Sequence, residues 1–233
     1  SYNNDSGHQS ELFYSDGVQS SRAVGEDDEN FGYNALFASD SSIGIVHGGE
    51  GPSDDLIGVA VHDAKNPINE LYFIVNGAAT GADGSAVADV LANERGCTVF
   101  KSELDGTNSV AYSCAELGLA AGDELDGLAI YAGAGSADVV FSVAGGAQGA
   151  TGSGVETARL AAEYGIGAIL FRSPGDATNA VFKSAEDFGL GEHTYDSSDD
   201  DIDGFAIIDQ RKASVAHGGS CELRYDPLDA VNG

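Results

Sequence analysis

The chain has 233 residues, with 38 Asp and Glu against 10 Lys and Arg, for a formal net charge of −28 at neutral pH. A field of that sign repels phosphate backbones and anionic headgroups, which excludes nucleic acid and acidic lipid surfaces as partners. With 33 Gly, 4 Pro and neither Met nor Trp, the composition describes a turn-rich chain of small side chains, and its apolar runs are too long for disorder.

No stretch of about 20 apolar residues occurs, so no membrane-spanning helix is expected. The opening "SYNNDSGHQS" lacks the basic and apolar regions of a secretory signal. Beginning on Ser, the sequence reads as already processed or as trimmed of a tag.

The first strand-like run is "LFYS" at 12–15, followed by "NALFASDSSIGI" at 34–45. An acidic turn with a short apolar run, "DDLIGVAVH", occupies 54–62, and "LYFIV" starts at Leu71. Next stand "GADGSAVADVLANERG" at 81–96, "VFKS" at 99–102 and "NSVAYSCAELGL" at 108–119. The series then starts over with "DELDGLAIY" at 123–131, "VVFSV" at 139–143 and "GSGVETARLAAEYG" at 152–165. "LFRS" at 170–173 and "NAVFKSAEDFGL" at 179–190 complete it, and "DIDGFAIID" (201–209) and "ELRYD" (222–226) follow.

Four motifs thus recur three times in a fixed order. In the central series they are runs A (128–131), B (139–143), C (169–172) and D (180–183). Each is a short β-branched or aromatic run bounded by Gly, Asp, Asn or Ser, the signature of a strand. Between B and C, Val87, Val90 and Leu91 have helical spacing, but a further edge strand is equally allowed over so few residues. Sixty-nine residues separate Gly58 from Gly127 and 77 separate Gly127 from Gly204. The chain enters at C and D, runs through two full series, and leaves after A and B.

That phase predicts one all-β domain over 1–233, built of three four-stranded repeats closed into a ring. The repeat parts are 1–53 with 200–233, 54–122 and 123–199, so the termini share one repeat. The motifs resemble the Asp- and Gly-rich β-repeats of secreted bacterial proteins, where apolar-Gly-Leu precedes Asp-x-apolar-Asp and a short strand. They also look like β-propeller blades closed by a blade shared between the termini. The resemblance covers nearly the whole chain. It implies a propeller-like ring, or a pseudo-threefold barrel or prism, in a secreted or cell-surface protein, and it carries no assigned activity.

The acidic turns have two readings. In the first, Asp123 and Asp126 accept backbone N–H bonds and Gly127 supplies the turn, so repeating the fold repeats the turn. In the second, Asp54, Asp55, Asp123, Asp126, Asp200, Asp201 and Asp203 are ligands for calcium, a hard cation that takes oxygen donors. Their spacing matches neither an EF-hand nor the Gly-rich nonapeptide repeat. The "VHGGE" at His47 and "AHGGS" at His217 invite comparison with an esterase oxyanion loop, yet no Gly-x-Ser-x-Gly elbow accompanies them. "GGAQGATGSG" at 145–154 lacks the Lys-Ser/Thr of a phosphate loop and reads as a flexible connection.

The cysteines give a sharper expectation. Pairing Phe100 with Ala111 across the C–D turn sets Cys97 opposite Cys114, and the second series has Ala168 and Ala185 in their places. A cross-strand disulfide follows, which implies an oxidising compartment and leaves Cys221 over. The expected function is an extracellular, non-enzymatic binding, surface or self-assembling structural protein, calcium-stabilised in the second reading of the turns. Its partner is another copy of itself or an extracellular glycan or protein. The alternative is a hydrolase or lyase acting on an extracellular glycan, its site built from 16–33 and 209–219.

Overall fold

The computed structural model describes residues 12–15, 34–46, 56–61, 70–132, 137–161, 166–188, 202 and 205. β1 (Leu12–Ser15) pairs antiparallel with β2 (Asn34–Ala38), and α1 (Asp40–Ile43) follows. β3 (Leu56–Ala60), β4 (Leu71–Val75), β5 (Val99–Ser102) and β6 (Asn108–Tyr112) form one four-stranded sheet. β7 (Leu125–Ala132), β8 (Ala137–Val143), β9 (Leu170–Ser173) and β10 (Ala180–Lys183) form a second. In both, each strand pairs antiparallel with its chain neighbour.

The ambiguous segments between the second and third strands are helical. α2 (Ala86–Asp89) and α3 (Ala92–Arg95) occupy the first, and α4 (Gly154–Ala161) the second. Ser85 starts the one by accepting from the Ala88 amide, and Ser153 starts the other by accepting from Glu156. A serine side chain that takes up an orphan amide fixes where a helix begins.

The sheets stack through their faces. On β4, Leu71, Phe73 and Val75 pack with Phe100 against Ala38 at the end of β2 and Ile43 and Ile45 beyond it. Ile74, with Val99 of β5, belongs to the cluster shared with Leu128, Val139, Phe141 and Phe171 of the second sheet. A strand covered on both sides reads as a near-continuous apolar run, as "LYFIV" does, and "VVFSV" departs from it only at Ser142, which is buried with its hydroxyl bonded. The Phe of the apolar-Phe-x-Ser motifs at 99–102 and 170–173 fills the same place: Phe100 stacks on Phe73 at 5.6 Å between centroids, and Phe171 on Phe141 at 5.9 Å. Each such ring, fully buried, contributes about 1.5–3 kcal/mol. Beyond the second sheet, the Ser142 hydroxyl donates to the carbonyl of Ile202 at 2.9 Å, and Phe205 lies close over Gly127.

The described residues are mostly β, but three repeats closed into a ring do not describe them. They form two separate four-stranded sheets and a two-stranded ribbon, and no sheet among them closes into a propeller-like ring, barrel or prism. The physical reason lies in the connections. Each sheet completes its ladder with consecutive strands and reaches its neighbour only through side-chain faces and turns. The phase of the motifs at the chain ends records which strands the ends contribute, and not where those ends lie.

Candidate functional site

The twelve-residue motif that follows each third strand begins on Asn and ends on apolar-Gly-apolar, and the structure gives both ends a purpose. Each copy ends its strand in a serine-capped turn. Ser39 accepts from the Ser42 amide at 3.3 Å while its own amide donates to the Ser42 hydroxyl at 3.0 Å. Ser113 accepts from Glu116 at 3.3 Å, and its amide donates to the Glu116 carboxylate at 2.9 Å. The Ser184 amide donates to the Asp187 carboxylate at 2.9 Å. The first two are reciprocal capping arrangements, and the third keeps the amide-to-carboxylate half. The serine amides and hydroxyls hold the carboxyls of Glu116 and Asp187 below the usual range, backbone donation being the larger cause.

The asparagine of the next copy grips that turn. Asn108 Nδ2 donates to the carbonyls of Ile43 and Gly44 at 2.8 and 3.1 Å, and its Oδ1 accepts from the Val87 amide at 3.1 Å. Asn179 repeats the set: Nδ2 donates to Leu117 and Gly118 at 2.7 and 3.1 Å, and Oδ1 accepts from Val155 at 2.9 Å. The glycine is required by contact, because a Cβ on Gly44 or Gly118 would stand 2.7 or 2.8 Å from that Nδ2.

The loop before each asparagine completes the joint. Ser102 donates its hydroxyl to the Thr107 carbonyl, and Thr107 donates its amide and hydroxyl to Asp105. Ser173, Thr178 and Asp176 make the same three bonds. Thr107, hydroxyl first and amide second, holds the Asp105 carboxyl below its ordinary range. From these loops the Gly106 amide donates to Ser42 at 2.9 Å and the Ala177 amide to Glu116 at 2.8 Å. The chemistry of the joint is therefore recognition of backbone carbonyls by an oriented amide, next to an apolar plug.

A matched acid–base pair crosses the middle strands of both sheets. Lys101 Nζ lies 2.9 Å from Glu70, and Arg172 Nε donates to Asp138 at 2.8 Å. Tyr72 also donates to Glu70 at 3.0 Å, and burial, followed by that bond, pushes its pKa up to about 12. Burial, reinforced by Asp138 and Glu116, likewise raises Tyr112.

Among the carboxylates expected to bind metal, Asp123 is buried and clamps backbone. It accepts from Ala120 at 2.8 Å, Gln148 at 2.6 Å and Gly149 at 2.9 Å. The segment 145–154 is thereby pinned, with Ala147 buried, where a flexible connection was expected. Asp126 lies in β7, half-buried. Asp54, Asp55, Asp200, Asp201 and Asp203 lie outside the described residues, as do His47, His217, Cys221 and the segments 16–33 and 209–219. Among the described residues, no group of three or more His, Cys, Asp or Glu is placed to hold a metal ion.

Cys97 and Cys114 form a disulfide with their Cα atoms 5.0 Å apart. Ala168 is buried and Ala185 half-buried at the matching places of the second sheet. Sequence reasoning used the leading Asn only to align the motifs and missed its clamp. The available signal was a polar residue and a glycine kept at fixed places in three copies whose other residues vary. No protein-family model, no curated protein and no solved structure matches the chain.

Proposed function

We propose that this chain is a non-enzymatic extracellular structural module that self-assembles or binds a partner through its repeated docking face. One observation carries the reading. The joint is made twice inside the molecule, and its receiving turn recurs after β10 with apolar residues uncovered: Phe182 is 39 % and Phe188 46 % exposed. The disulfide supports secretion or a cell-surface location, since such bonds persist in oxidising compartments.

Sedimentation over a range of protein concentration tests this reading. With 28 net negative charges per copy, association should strengthen as salt shortens the Debye length to about 8 Å at 0.15 M. The expected result is a mass rising above the 23.7 kDa of one chain, or retention of an extracellular glycan or protein. A chain that stays monomeric at every salt and concentration, and retains neither, would overturn the proposal.

The proposal includes calcium stabilisation at the acidic turns other than Asp123, motivated by the run "SSDDDIDG" at 197–204. Excess chelator should then lower the melting temperature, and an unchanged melt removes calcium from the account.

A further inference from the structure

Both joints have the same polarity. The turn that ends one fourth-position strand receives the asparagine that opens the next, so β6 reaches back to the turn after β2, and β10 to the turn after β6. By motif, the chain carries two further halves of this device. One is the turn after β10. The other is Asn34, which stands first in β2, where Asn108 stands first in β6 and where Asn179 immediately precedes β10.

In the described part of the receiving half, 184–188, the Ser184 amide donates to the Asp187 carboxylate as the Ser113 amide does to Glu116. Its plug is uncovered. Phe188 is 46 % exposed where its counterparts Ile43 and Leu117 are both at 0 %, and Phe182 is 39 % exposed where Ala111 packs on the shared core. The β7–β8 side of the same face carries Ile202 and Phe205. Among the described residues, the open part is thus the end formed by β9 and β10. The β1–β2 ribbon carries the motifs of a third and fourth strand, which are the strands that meet that end in the joints already made.

We propose that the β1–β2 ribbon of one copy docks on the turn after β10 of a second copy, joining chains head to tail. This rests on the self-assembly reading above and names the two surfaces involved. Such a contact is heterologous: each copy keeps one free half of either kind, so assembly proceeds to a closed ring of copies or to a filament.

Complementation of two broken copies tests it. Phe188→Asp puts a charge into the plug, and Asn34→Asp removes both amide donors at nearly constant shape. Each variant alone should weaken association by about tenfold or more, as expected for losing two net hydrogen bonds or one buried ring. Mixed in equal amounts, they retain one intact pair of halves and should form a heterodimer that grows no further. Near-ultraviolet circular dichroism checks that each variant is folded, and Phe182→Asp replaces Phe188→Asp if that one is not.

Variants that assemble like the parent overturn the head-to-tail contact and leave self-assembly standing. A mixture that stays monomeric while the parent assembles overturns it too, because a contact between like patches cannot be rescued in this way. A parent that never assembles sinks both readings.

Discussion

The two sheets are built alike and filled differently. In the first, a disulfide ties the approach to β5 to the turn after β6; in the second, alanines stand at both places. The loop before β6 places Leu104 and Gly106 in the left-handed region, with φ of 62° and 90°, while the loop before β10 places Gly175 and Ala177 there, at 81° and 70°. The connection to the third strand is two short helices in one sheet and a single longer one in the other. The asparagine clamp is the same in both, and in both the serine amide donates to the carboxylate three residues on. The joint between sheets is therefore the invariant part of this architecture, and the interior of each sheet adjusts around it.

If so, the largest losses come from the joint. Asn179→Ala removes three hydrogen bonds within a buried setting and strands the Val155 amide, for an expected loss of about 4 kcal/mol. Asn108→Ala breaks the same bonds where the site is only part-buried, and should cost about 2 kcal/mol. Urea unfolding of both variants checks the size and the order. Equal, small losses would make the clamp incidental.

Replacing Cys97 and Cys114 together by Ala gives the first sheet the fittings of the second. Releasing a link that spans 17 residues should cost about 3 kcal/mol in the same measurement. Loss of the fold itself would show that the first sheet relies on its staple in a way the second does not.

The two loops are each other's controls. Leu104→Gly and Ala177→Gly relieve a left-handed non-glycine residue, and each should stabilise by up to about 1 kcal/mol once the added freedom of the unfolded chain is counted. Gly175→Ala should destabilise by more than Gly106→Ala, because its Cβ would lie 2.8 Å from the Tyr112 ring. Thermal melts of the four variants rank them.

The smallest effect expected is on alkaline stability. A tyrosine whose folded pKa is raised to about 12, against about 10 unfolded, contributes stability that is present below pH 10. That contribution is lost as pH rises toward 12, when the unfolded chain ionises first. Tyr72→Phe should flatten this part of the stability profile relative to the parent. Parallel profiles would mean that neither burial nor the bond to Glu70 biases the titration.

Much of the local structure was legible in the sequence. "VFKS", "LFRS" and "VVFSV" read as strands because β-branched and aromatic residues sit between turn formers, and they are strands. The disulfide was legible through the register of the β5–β6 pair, with one instructive detail. Phe100 pairs with Val110 rather than Ala111, and a bulge between Val99 and Phe100 restores the expected register at Val99 and Tyr112, which brings Cys97 to Cys114. The helices were decided by Ser85 and Ser153, caps that hydrophobic spacing alone does not weigh.

Long-range relations were not legible. The carbonyl partners of Asn108 and Asn179 lie more than sixty residues back along the chain, beyond the reach of any local pattern. The ring was drawn from the phase of the motifs at the chain ends, yet the sheets satisfy their ladders within themselves and impose no closure. The clustered Asp read first as turn and second as ligand, and Asp123 holds three backbone amides.

Native-state hydrogen exchange at two amides tests the repeated joint most directly. Val87 and Val155 each donate to the asparagine Oδ1 of their own sheet. The account predicts that both amides are protected in the parent. It also predicts that Asn108→Ala exposes Val87 alone, and Asn179→Ala exposes Val155, leaving the other amide slow. Rapid exchange of both in the parent, or protection that survives loss of the asparagine, would contradict the claim that one joint, used twice, holds these sheets together.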